Sequence, residues 1–199
     1  MYLVIRRYQN DAGAVEEAAR RAEDGFVPIV KGAPGFVSYS LGTTDDGRLI
    51  TVSIFQDRAG ADQSVQLARQ WIGENLAALL PTPPEVIGGE VLARAVSPTE
   101  LPRHFAMRCY RATPGAAAEI GRRAQAEFVP ILQGVDGFAR YVAADLGNDD
   151  LVSLSAFRDR AAAEESTRRA ADWARQRLAD LVAGPPEVTM GAMRVFAVA

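Results

Sequence analysis

The chain has 199 residues, 48% of them hydrophobic and 24% charged, with 22 Lys and Arg against 25 Asp and Glu and a net charge of −3. That balance leaves no cationic excess for gripping a phosphate backbone, so nucleic acid is not an expected partner. A single cysteine, Cys109, excludes an internal disulfide and a C-x-x-C site, and a single histidine, His104, offers a metal no second imidazole.

The apolar runs fall short of a membrane span, and the chain opens directly on the strand-like Tyr2-Leu3-Val4-Ile5 rather than on a charged and then apolar leader. No membrane association and a cytoplasmic location are therefore expected. Tyr2 to Tyr8 reads as a first strand, closed by the turn residues Asn10-Asp11-Ala12-Gly13. Val15, Ala18, Ala19, Ala22 and Phe26 then recur at helical spacing, with Glu16 and Glu17 in the first turn where the helix dipole favours them. Pro28 lacks an amide hydrogen and restrains Val27, so this helix is expected to break or kink before Gly32.

Ala33-Pro34-Gly35 is turn chemistry. Phe36 to Thr43 and Leu49 to Phe55 follow as two strands around Thr44-Asp45-Asp46-Gly47, a hairpin signal. Asp57 stands at an N-cap position before a second helix carrying Val65, Ala68, Ile72, Leu76 and Leu79, which Pro81, Pro83 and Pro84 end. Val86 to Val96 completes the order β-α-β-β-α-β, a ferredoxin-like unit.

The same text then recurs at an offset of 102 positions. Phe26-Val27-Pro28-Ile29 returns as Phe128-Val129-Pro130-Ile131, Trp71 as Trp173, and Pro83-Pro84-Glu85-Val86 as Pro185-Pro186-Glu187-Val188, in a gapless register with roughly a third of the pairs identical. The period matches a small domain rather than a solenoid repeat. The expected organisation is a first unit over residues 1–97, a proline-stiffened linker at 98–102 and a second unit over 103–199. A ferredoxin-like sheet has helices on one face only, so the other face needs a cover. The other copy's sheet is the natural cover, which predicts an α+β fold with two sheets face to face, closed as a barrel with helices outside. The chain would then be a pseudo-dimer in itself, with a further homodimer left open.

The stretch Gly32-Ala33-Pro34-Gly35-Phe36-Val37-Ser38-Tyr39, the sequence Phe55-Gln56-Asp57-Arg58-Ala59 entering the second helix, Trp71, and Pro84-Glu85-Val86 resemble the dimeric α+β barrel superfamily. Within it they are similar to the antibiotic biosynthesis monooxygenase domain, here in two fused copies. The resemblance covers nearly the whole chain and implies a scaffold that hosts cofactor-independent oxidation of aromatic polyketides, haem degradation, or non-catalytic roles. In cofactor-independent members, Asn, Trp, Tyr or Arg side chains position a phenolic substrate between sheet and helices. Trp71 and Trp173 match such a tryptophan, whereas the asparagine does not carry over, because Asn75 pairs with Arg177 and Asn10 with Ala112. Haem-degrading members use a histidine on the second helix, which both copies lack, so haem binding is the minor reading and no cofactor or metal is expected.

Arg6 and Tyr8 share a face of the first strand and recur as Arg108 and Tyr110. An arginine beside a tyrosine suits a developing enolate or phenolate oxygen, while the plainer role is to bridge the two sheets by hydrogen bonds. Ser53 and Ser155 offer hydroxyls to a ligand or to neighbouring strands, Tyr39 and Tyr141 line or fill the core, and the indoles of Trp71 and Trp173 wall a pocket or simply pack. Asp57 and Asp159 are explained as caps. His104 reads as an incidental surface residue, and Cys109 has no basic partner that would make it a nucleophile. The leading expectation is a protein that binds a small, aromatic molecule, with monooxygenase chemistry if it is an enzyme; the second is a non-catalytic binding or structural barrel. An open pocket lined by Trp, Tyr and Arg would separate them. The copies differ at Tyr2 and His104, Arg7 and Cys109, Ser38 and Arg140, and Asn75 and Arg177, which predicts unequal cavities with the first the better apolar binder.

Overall fold

A computed structural model describes residues 1–10 and 12–199. The first strand, β1, spans Tyr2–Arg7. The turn expected at Asn10 to Gly13 includes Asp11, which lies outside the described residues. The first helix comes in three pieces, α1 (Val15–Arg21), a π-helical turn (Ala22–Phe26) and α2 (Val27–Lys31). Where a break or kink is expected at Pro28, the helix takes a wider winding. A proline inside an α-helix drives its ring into the carbonyl four residues back. Here the Val27 amide reaches the Ala22 carbonyl, five residues back, so the helix widens just ahead of Pro28 and runs on to its C-cap at Gly32.

Strands β2 (Phe36–Thr44) and β3 (Leu49–Phe55) form the hairpin, α3 covers Arg58–Asn75, and β4 covers Glu85–Val96. The Asp57 carboxylate accepts the Gly60 amide at 2.9 Å, the cap its position implied. The order repeats as β5 (His104–Arg111), α4 (Ala117–Arg123), a second π turn (Ala124–Phe128), α5 (Val129–Gln133), β6 (Phe138–Gly147), β7 (Asp150–Phe157), α6 (Arg160–Arg177) and β8 (Glu187–Val198). The two hairpins use different turns. Gly47 supplies a positive φ of 85° in the first, whereas Asn148 and Asp149 take φ of 53° and 64° in the second, the paired left-handed conformation of a tight two-residue hairpin.

The strands join in the order β1-β3-β2-β8-β5-β7-β6-β4 and close as an eight-stranded barrel. Closure leaves no strand edge exposed, the standing hazard of open sheets. Two compact units are present, Met1–Gly88 with Met193–Ala199, and Gly89–Ala192. Their limits fall inside β4 and β8, so the compact units exchange the ends of the last strands relative to the sequence repeats. In the first unit, Val15, Ala18, Ala22 and Phe26 of the first helix pack with Val4, Tyr39, Phe55, Ala68 and Trp71 into one apolar core that also takes in Val195. The second unit has a matching core around Phe128, Tyr141, Phe157, Ala170 and Trp173.

Candidate functional site

In the first unit the antiparallel register sets Val4 opposite Ser53 and Arg6 opposite Thr51, so these side chains stand on one face of the sheet. Arg6 is 2% exposed. Its Nη1 donates to Ser53 Oγ at 3.2 Å and its Nη2 to Ser64 Oγ at 3.1 Å, while Ser64 Oγ donates to the Ala61 carbonyl at 2.7 Å. Arg6 therefore ties β1 to β3 and to α3 within its own unit, in place of the bridge between sheets that the strand pattern suggested. Arg108 repeats this arrangement and extends it, donating to Ser155, Ser166 and Thr167, each at 3.0 Å. The third acceptor exists because Thr167 stands where the first unit has Val65.

Among the described residues no carboxylate pairs with either arginine. Among the described residues, Nε of Arg6 and of Arg108 is buried without a hydrogen-bond partner. Burial draws the Arg6 and Arg108 guanidinium groups below their ordinary pKa and pushes the Tyr8, Tyr39, Tyr110 and Tyr141 phenols above theirs. Arginine stays protonated under such conditions, and the phenols stay neutral. Each site thus holds one positive charge among apolar walls and neutral hydroxyls, an arrangement that stabilises an oxyanion and supplies no general base.

The two tryptophans sit differently. Trp71 lies 9% exposed across Gly25 and Phe26, with ring centroids of Phe26 and Trp71 5.6 Å apart and tilted by 43°. The residue matching Gly25 is Glu127, whose carboxylate accepts from Trp173 Nε1 at 3.3 Å and from Arg177 Nε at 2.7 Å. Trp173 is stacked on Phe128 at 4.9 Å and 23°. Trp71 has no such acceptor among the described residues.

Arg6, Tyr8, Tyr39 and Trp71 come together around one cavity of the first unit, but its volume is about 20 Å³. Tyr110, Tyr141 and Trp173 line the corresponding cavity of the second, about 30 Å³. Such spaces fit a water or two and exclude a ring. Both sheet-helix interfaces are filled, and the inequality expected between them is slight. Ser53 and Ser155 serve the arginines instead of lining these cavities. The roomier space is a groove of about 480 Å³ in the first unit. Arg6 lines it together with Val65, Ala68, Arg69 and Ile72 of α3, Pro81 to Pro84, and Val86 at the start of β4. Of the candidate site residues read from sequence, only Arg6 belongs to this groove. The prolines were legible as a helix stop, and nothing in their spacing marks them as a wall.

No protein-family profile and no curated protein sequence matches the chain. Solved structures do. A candidate monooxygenase from Lactobacillus acidophilus aligns over 99% of this chain and 95% of its own, with a TM-score of 0.77 and 10% identity. A second candidate monooxygenase, from Fusobacterium nucleatum, gives 0.78 at 10% identity over 99% and 94% of the two chains. This is the dimeric α+β barrel fold. An anthrone oxidase-like protein superposes as well, at a TM-score of 0.64 and 15% identity over 99% of this chain and 92% of the other. At such identities the dimeric α+β barrel is a shared scaffold, and chemistry has to be argued from the site.

Proposed function

We propose that the first unit binds a small, largely apolar aromatic molecule, with cofactor-independent oxygenation as its reaction. The observation that carries this reading is Arg6, a buried cation with no carboxylate partner among the described residues that opens onto a groove large enough for a fused-ring ligand. Its guanidinium favours the ionised form of a phenol or enol in the bound state, and an electron-rich enolate is the species that reacts with oxygen. For an anthrone-type ring, O₂ converts the methylene to a carbonyl; one oxygen atom enters the product and the other leaves as water with the two methylene hydrogens. The candidate monooxygenases and the anthrone oxidase-like protein on the same scaffold support this class.

A second reading, a barrel that binds without catalysis, is favoured by the filled cavities at Trp71 and Trp173. Native mass measurement with quinols and anthrones, paired with oxygen uptake, tests both readings. Retained ligand with oxygen consumption that Arg6→Met abolishes supports oxygenation. Retained ligand without oxygen consumption supports the binding module, and failure to retain any of them counts against both.

A further inference from the structure

Two positions next to the groove differ between the units in a way that changes the balance of charge and acceptors. Arg6 gives two of its five N–H groups to hydroxyls, and Arg108 gives three. The difference is Val65 against Thr167. The groove also carries Arg69 on its rim, where the second unit has Ala171. Arg69 is exposed, and among the described residues it has no ion pair and no acidic side chain lines the groove. In a chain of net charge −3 this concentrates two unopposed positive charges, one buried and one at the surface, around an apolar space.

Building on the reading of the first unit as an aromatic-binding site, we propose that its ligand is an aromatic carboxylate, seated once per chain in the groove between α3 and the Pro81–Pro84 segment. The carboxylate accepts from the unspent N–H groups of Arg6, the ring lies against Val65, Ile72, Leu80 and the proline wall, and Arg69 steers the anion inward. Proline rings are good partners for an aromatic face. Most of the desolvation of Arg6 is already met in the folded protein, so a ligand anion gains a charge-assisted hydrogen bond while stripping little water from the arginine. In the second unit Thr167 occupies a donor of Arg108, and the Glu127–Arg177 pair fixes Trp173, so that unit serves as structural support.

The test is calorimetric titration of the whole chain with 2-naphthoate and with its neutral isostere 2-naphthamide, at low and high salt. One equivalent of naphthoate is expected to bind, about tenfold to a hundredfold more tightly than naphthamide, the range of a hydrogen bond to a charged group. Val65→Thr keeps the charge but supplies the hydroxyl of the second unit; the polar wall weakens both ligands, and naphthoate should lose about tenfold more than naphthamide. Arg69→Gln should slow association and flatten its salt dependence. Equal affinity for the two isosteres, two equivalents bound, or an unaffected Val65→Thr variant overturns the assignment; in the first case, binding of naphthamide or an anthrone leaves the broader aromatic-binding reading standing. Binding of neither naphthalene and no anthrone overturns both.

Discussion

Gly25 and Trp71 lie so close that a Cβ on residue 25 would stand 2.9 Å from the indole Cζ2. Gly25→Ala must therefore displace the indole, since no real Cβ tolerates that approach. The gain in helix propensity, about 0.5–1 kcal/mol, is smaller than the overpacking penalty of about 1–3 kcal/mol. A net loss of stability and an altered Trp71 fluorescence are expected, with chemical denaturation followed by tryptophan emission as the measurement.

The matching pair in the second unit makes a pH prediction. Hydrogen bonds from Arg177 hold the Glu127 carboxyl below its ordinary pKa. An acid lowered in the folded state contributes stability that is fully present above its unfolded value and is lost as the pH falls through the folded one. The Trp173 indole N–H resonance should stay fixed from neutral pH down past about 4.3, the ordinary glutamate value, and move only in stronger acid. Arg177→Gln should bring that transition up to the ordinary range.

Glu17 and Glu119 offer a second acid test. Each carboxyl is held at about 2 by hydrogen bonds from paired arginines, Arg20 with Arg21 and Arg122 with Arg123. Carbon-detected titration should give midpoints well below those of unpaired glutamates, and added salt should raise them because exposed pairs are screened.

Replacing Arg6 by Met should leave stability unchanged or raise it, because a lone buried cation is costly and an apolar side chain of similar length is not. Ser64→Ala has the opposite effect. It removes an acceptor and leaves the charge, at a loss of about 1–3 kcal/mol. Thermal melting of the two variants distinguishes these outcomes.

Gly89→Ala should be among the most damaging single changes. The added Cβ would stand 2.1 Å from the Asp145 carbonyl oxygen, a backbone atom that cannot swing aside. A loss of about 3 kcal/mol, at the upper end of overpacking penalties, is expected in denaturant melts.

The fold was largely legible. Alternation along Tyr2 to Tyr8 placed Arg6 and Tyr8 together, Asp57 announced its cap, and the naked face of a ferredoxin-like sheet called for closure. The π turns were not legible, because Pro28 tells where an α-helix fails without telling whether the chain will stop or widen. The candidate site was legible only in part. Arg6 could be found from its recurrence as Arg108, but whether the Trp71 interface is open or filled depends on volumes of a few tens of Å³, which no residue pattern encodes. The groove walls escaped because Val65 and Arg69 gain their meaning only from contrast with Thr167 and Ala171, once the hydrogen bonds of the two arginines are known.

The seven residues Met193–Ala199 belong to the first compact unit although more than a hundred residues separate them from Gly88. Val195 is buried in that unit's core, the Ala199 amide donates to the Val37 carbonyl at 3.2 Å, and Arg194 pairs with Glu16 at 3.2 Å. During translation the amino-terminal part must therefore leave the ribosome with its core unsealed and wait for the far end of the chain. Completing that core requires a loop closure of very long range. A nascent chain halted anywhere before residue 193 would present an incomplete apolar core to chaperones and proteases.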